Sequence, residues 1–161
     1  MINRYLKKEK PPVLQRFEEE TLKAGELLPD LTIQDENGTE TNLHSYITDH
    51  LVLVLGSTGC DLCEQTLDAL NDYTMRSSDL NVLILMDTHP AALHELRNIF
   101  NNRARIYIVM PHLMNRYLKM QYLPTAFCVG EDRRILSTHP FLDLESFQRL
   151  IEPLRTPPLS S

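Results

Sequence analysis

The chain has 161 residues, 42% of them hydrophobic and 24% charged, with a net charge of −6. That length allows one domain with a proper core, and the negative balance disfavours a nucleic-acid partner. No stretch approaches the roughly 18 apolar residues of a membrane-spanning helix.

The first ten residues, MINRYLKKEK, hold four basic side chains and one acidic one. With Pro11 and Pro12 they read as a flexible basic lead, residues 1–12, that is simply solvated. This lead lacks the apolar core of a signal peptide, so a cytoplasmic location is expected. Residues 13–24 place Val13, Leu14, Phe17 and Leu22 at roughly helical spacing, and Gly25 follows as a stop. In LPDLTIQDENGTETNLHSY, Asn37-Gly38 between two short extended segments predicts a hairpin.

LVLVLG at 51–56 is continuous and apolar, as in a central parallel strand covered on both faces. Residues 61–75 predict a helix with Leu62, Cys63, Leu67, Leu70 and Tyr73 or Thr74 along one stripe. LNVLILMD at 80–87 reads as a second buried strand. Pro90 opens a helix that runs to about residue 101, with Leu93, Leu96 and Phe100 inward. ARIYIVM at 104–110 is a third strand, and Pro111 opens another short helix. TAFCVG at 125–130 is a fourth strand, with a turn at Glu131-Asp132 into 133–137. A last helix over 143–152 turns Leu144, Phe147 and Ile151 inward. Residues 155–161 read as a disordered tail. Strands alternating with helices, closed by a hairpin and a helix, predict one α/β domain over residues 13–154.

Three cysteines are too few for a disulfide framework. Cys60 and Cys63 fall where the first buried strand turns into a helix, and sites in open α/β sheets gather at such strand ends. A thiolate at Cys60 meets unpaired N–H groups and the positive end of the helix dipole, which lower its pKa below the free value of about 8.5. Cys63, one turn later on the same face, can attack a mixed disulfide formed at Cys60. A structural zinc site usually has a second ligand pair. Cys128 and the six histidines form no such spacing, so no metal is expected. Redox chemistry is the favoured reading, with a metal site and an inert buried pair as its rivals.

From about Gly25 to Leu154 the chain resembles the thioredoxin superfamily, in its branch of TlpA- and ResA-like thiol–disulfide oxidoreductases that grades toward peroxiredoxins. GELLPDLTIQDENGTETNL resembles that branch's opening hairpin, and LVLVLGSTGCDLCEQTL its strand–CxxC–helix. ARIYIV resembles part of its central insertion, and YLPTAFCVGEDRRI its cis-proline strand and hairpin. The resemblance implies a thioredoxin fold: a central mixed sheet flanked by helices, with an N-terminal hairpin extension and a central helix–strand insertion. It implies Cys60 as nucleophile, Cys63 as resolving cysteine, and a redox-active Cys60–Cys63 disulfide in place of a bound cofactor. It also puts Pro124 in cis beside Cys60. Independently, an internal proline cannot donate to a sheet ladder, so Pro124 suits a strand's first position, and X–Pro bonds are those where cis is cheap. Leu123 then offers its backbone to an extended substrate chain. Leu123, Pro124, Thr125 and Gly59 are the expected substrate-binding residues, with Ser57 and Asp61 supporting. The implied partners are a protein or peptide carrying a disulfide and a thiol electron donor or acceptor. A dedicated peptide-maturation pathway is one candidate setting.

The sequence departs from that pattern in three places. Thr58-Gly59 stands before Cys60 where thioredoxins carry Trp. Residues 51–57 contain no acid to take a proton, and Glu64, the nearest in sequence, is expected to face solvent. Ser57 holds the peroxiredoxin threonine position, three before Cys60, but Leu53 stands where the proline belongs. A peroxiredoxin-like thiol peroxidase is therefore the alternative enzyme, and a metal or copper carrier the alternative binding protein. The Asp61 carboxylate repels a Cys60 thiolate, so a reducing couple is expected. Cys128 is expected in the core, and His89 in a surface loop.

Overall fold

The computed structural model describes residues 21–35 and 37–155. The expected lead at 1–12, the first part of the helix expected at 13–24, and residues 156–161 lie outside them. The described chain opens with a short antiparallel ribbon, β1 (Thr32–Gln34) and β2 (Glu40–Asn42), with Ile33 opposite Thr41. Asn37 and Gly38 belong to a longer loop between them. There Gly38 takes φ +78°, which costs glycine little, and the Asp35 carboxylate accepts from the N–H groups of Asn37 and Thr39 at 2.9 Å each. A 3-10 turn, Leu43–Tyr46, leads on.

The apolar run then becomes β3 (His50–Ser57), followed by α1 (Asp61–Arg76), β4 (Val82–Asp87), α2 (Pro90–Phe100) and β5 (Arg105–Ile108). After α3 (Pro111–Leu118) come β6 (Thr125–Gly130), β7 (Ile135–Thr138) and α4 (Leu144–Arg155). The sheet order is β5-β4-β3-β6-β7. β3 pairs parallel with β4 and antiparallel with β6, so the sheet is mixed and β3 lies at its centre.

Alternation along β3 feeds two cores. Val52 and Val54 join Ala69 and Leu70 of α1, Leu93 and Phe100 of α2, and Phe147, Leu150 and Ile151 of α4. Leu51, Leu53 and Leu55 face Ile33 of the ribbon, Leu43, and Met114 and Leu118 of α3. A strand covered on both faces needs continuous apolar sequence, which is why LVLVL shows no polar alternation.

Three expectations need correction. Residues 21–24 are not helical. Leu22 packs into the core, and the chain from Gly25 turns to run along β7. The Gly25 N–H donates to the Ile135 carbonyl at 2.7 Å and the Leu28 N–H to that of Arg133 at 2.8 Å. Satisfying the exposed edge of a sheet outweighs a local helical pattern. Leu62 is off the inner stripe of α1 and 47% exposed, whereas Thr66 is buried. The Thr66 hydroxyl donates to the Phe141 carbonyl at 2.6 Å, and so is satisfied in the core. Finally, Arg155 ends α4 instead of starting a tail. Its guanidinium pairs with the Asp79 carboxylate and reaches the Tyr73 hydroxyl. That pairing holds the Asp79 carboxyl down at about 2.

Candidate active site

The parallel strands β3 and β4 end together, with Ser57 in register with Asp87. Beyond Ser57 the chain makes a tight turn through Thr58 and Gly59, then enters α1. The Cys60 N–H donates to the Ser57 carbonyl at 3.3 Å, and the Gly59 N–H to Ser57 Oγ at 3.1 Å. Ser57 Oγ in turn donates to Asp87 Oδ2 at 3.5 Å. The Thr58 N–H donates to the Asp87 carbonyl at 3.3 Å, and the hydroxyls of Thr58 and Thr88 meet at 3.0 Å. The turn that carries Cys60 is thus tied to the end of the neighbouring strand.

Cys60 is the N-cap of α1, with extended backbone at φ −116° and ψ 115°. Its Sγ accepts from the Cys63 N–H at 3.2 Å. This is the cap position usually filled by a serine or aspartate oxygen, here occupied by a sulfur able to carry negative charge. Free N–H groups and the positive end of the dipole converge on it. Cys60 is half-buried, whereas Cys63 is 1% exposed. Burial, and then the hydrogen bond with Cys60, push the Cys63 thiol up to about 12. Asp61 and Glu64 occupy the first turn of α1, both exposed.

The Leu123–Pro124 peptide is cis. Pro124 is buried, and Thr125 begins β6 opposite Leu55. One further step of that antiparallel register brings Pro124 level with Gly56, at the same sheet end as Cys60. Leu123 is half-buried against the ribbon-side core. The Thr125 hydroxyl donates back to the Tyr122 carbonyl at 2.5 Å. Gly59 is exposed on the rim of the turn.

The sequence places Asp87 and Thr88 where a strand ends at the expected active edge, but does not tie them to this turn. Their signal was the abrupt Asp-Thr after the apolar run VLILM, but only the strand register shows what they reach. His89 is exposed, and its Nδ1 accepts from the Ala92 N–H at 3.3 Å, capping α2. Cys128 is fully buried in β6 across from Val52, and burial pushes its thiol up to about 11. Among the described residues, no group of three or more His, Cys, Asp and Glu side chains is placed to hold a metal ion. Nor is any helix there long and apolar enough to cross a membrane.

No protein-family model matches the sequence, and no curated protein matches it. Solved structures do match. The thioredoxin domain of a thiol-disulfide oxidoreductase from Bacteroides vulgatus aligns at 14% identity with a TM-score of 0.64, over 84% of this chain and 100% of that one. The peroxidoxin BcpB of Mycobacterium tuberculosis aligns at 14% identity and a TM-score of 0.66, over 83% of this chain and 97% of that one. The exposed lipoprotein thioredoxin of Streptococcus pneumoniae aligns at 14% identity and a TM-score of 0.59, over 77% and 98%. At such identities the likeness speaks for architecture. The chain has the thioredoxin fold, with its Cys60–Cys63 pair where the central strand gives way to a helix.

Proposed function

We propose that the protein is a thiol–disulfide oxidoreductase in which Cys60 is the nucleophile and Cys63 the resolving cysteine. The observation that carries this reading is the division of labour within the pair. Cys60 caps a helix within reach of solvent and accepts the Cys63 N–H, while Cys63 lies beneath it in the dry interior. One sulfur is built to meet a substrate and the other to wait.

The Cys60 thiolate attacks one sulfur of a substrate disulfide. The other substrate sulfur leaves as a thiolate and takes a proton from solvent, and a mixed disulfide remains on Cys60. Cys63 then gives up its proton and attacks the Cys60 sulfur. The second substrate sulfur leaves, so the substrate gains two electrons and the Cys60–Cys63 disulfide forms. A thiol donor reverses that oxidation, and no bound cofactor takes part. The substrate is a protein or peptide that lies in extended form over Leu123, Pro124, Thr125 and Gly59.

Two features support a reducing direction. Asp61 follows Cys60 in the first turn of α1, where a carboxylate repels negative charge developing at the helix start. Burial keeps Cys63 protonated, so the resolving sulfur gains none of the thiolate stabilisation that favours a strongly oxidising couple. A cytoplasmic setting, with a dedicated peptide-maturation pathway as its task, fits this direction. The peroxidase alternative calls on the Ser57 hydroxyl. That hydroxyl accepts from Gly59 and donates to Asp87, so its proton is turned away from Cys60.

Trapping tests the proposal. A Cys63→Ser variant, mixed with an oxidised peptide substrate, should accumulate a one-to-one adduct through Cys60 that dithiothreitol releases. An adduct on Cys128, or none at all, would count against it.

A further inference from the structure

Behind Cys63 stand two residues that the proposed chemistry does not use. Gly56 is buried near the end of β3. A Cβ added there would lie 3.0 Å from Met86 Sδ and 3.6 Å from Cys63 Sγ. Gly56 is not among the glycines with positive φ, so the backbone does not demand glycine at this point; the space does. Met86 faces it from the neighbouring strand, in register and without exposure. The two sulfurs thus flank the spot where a side chain is missing. Ser57 is next along β3, and its backbone N–H favours the charged form of Cys63.

We propose that Gly56 and Met86 are positioning residues for the resolving cysteine. The missing side chain lets the Cys63 sulfur rest on the β3 backbone within reach of the Ser57 N–H, and the Met86 thioether seals that sulfur from water. This rests on the reading of Cys63 as the resolving residue. A thioether suits the place because it is polarisable, fills irregular space and competes weakly for hydrogen bonds. The sulfur then waits as a dry thiol. Its developing thiolate meets one fixed N–H on the strand side and the Cys60 sulfur on the helix side. A methyl at residue 56 is too close to the Met86 sulfur, at 3.0 Å, and already touches the Cys63 sulfur at 3.6 Å. With Met86 enclosed by the core, relief of that contact carries the methyl toward the Cys63 sulfur and displaces it.

The test uses the reduced full chain and an aromatic disulfide, dithiobis-nitrobenzoate, whose thiolate is coloured on release. Attack by Cys60 releases the first equivalent and leaves a mixed disulfide. Cys63 loses its proton to buffer, attacks the Cys60 sulfur and releases the second. Gly56→Ala should leave the first phase within about twofold of the parent and slow the second about tenfold, the equivalent of one pKa unit at Cys63. Gly56→Ala with Met86→Val should restore most of the second phase, because the shorter side chain returns the space. A purely structural role would lower stability and slow both phases alike. The inference is overturned if the second phase is unchanged in Gly56→Ala, or slowed and not restored in the double variant. Should Gly56→Ala fail to fold, Met86→Val alone decides. Admitting water should lower the pH midpoint of its second phase by about one unit, and an unchanged midpoint overturns the inference. If the parent itself shows no second phase, the resolving role of Cys63 fails instead.

Discussion

Cys60→Ser should abolish disulfide reduction, with a loss of at least about a thousandfold, the scale on which removing a covalent nucleophile acts. A serine hydroxyl keeps the cap on α1 but forms no mixed disulfide. The fold therefore survives and the chemistry does not. The same variant isolates the two remaining thiols. Alkylating agents react with thiolates, and burial pushes Cys63 up to about 12 and Cys128 up to about 11. The hydrogen bond with Cys60 disappears in the variant, yet burial is the larger cause at Cys63 and stays. Both groups are protonated below those values, so labelling of the folded variant should be negligible at about pH 8 and rise only as pH approaches 11 or the chain unfolds. Iodoacetamide labelling followed by mass measurement checks this. Retained reductase activity, or fast labelling of Cys63, contradicts the assigned roles.

Phe147→Ala should produce the largest loss of stability. Phe147 is fully buried in α4, with its ring centroid 4.7 Å from that of Phe141 and 5.0 Å from that of Tyr73. These three rings join α4, α1 and the segment after β7 on one face of the sheet. Deleting a buried phenyl ring removes its transfer energy and leaves a cavity, at a cost of about 3–5 kcal/mol. Set against a typical domain stability of about 5–15 kcal/mol, that is a large share. The urea midpoint should fall accordingly. Met75→Ala, at a highly exposed position of α1, should shift stability by less than about 0.5 kcal/mol. Equal effects from the two changes would mean that this core does not hold α4 in place.

Much of this architecture was written in local sequence. The runs LVLVL and VLILM are long enough and apolar enough to force buried parallel strands, and the CxxC between strand and helix follows from chain order alone. Pro90 and Pro111 mark helix starts because their missing N–H groups cost nothing there. What stayed illegible depends on partners distant in sequence. The rotation of α1 that exposes Leu62 and buries Thr66 is set by a carbonyl at Phe141. The path of residues 25–28 is set by the open edge of β7, more than a hundred residues later. In the proposed site, the Cys60–Cys63 spacing at a helix start and Pro124 at the head of a strand are readable locally. Asp87, Met86 and Gly56 are not, because each acquires its neighbours only through the pairing of β3 with β4. No pattern within one strand announces which residue will face it from the next.

The reducing direction we propose rests on the two cysteines' surroundings. Asp61 adds negative charge to the first turn of α1, and the dry bed of Cys63 disfavours its thiolate; a couple whose reduced form gains little thiolate stabilisation is a reductant. The most direct measurement equilibrates the protein against thiol–disulfide buffers of graded potential and reads each cysteine by alkylation and mass. The account predicts one two-electron transition in which Cys60 and Cys63 oxidise together while Cys128 stays free. Its midpoint should lie nearer the thioredoxin value of about −270 mV than the DsbA value of about −120 mV. A midpoint close to about −120 mV, or oxidation that leaves Cys60 and Cys63 unlinked, would contradict it.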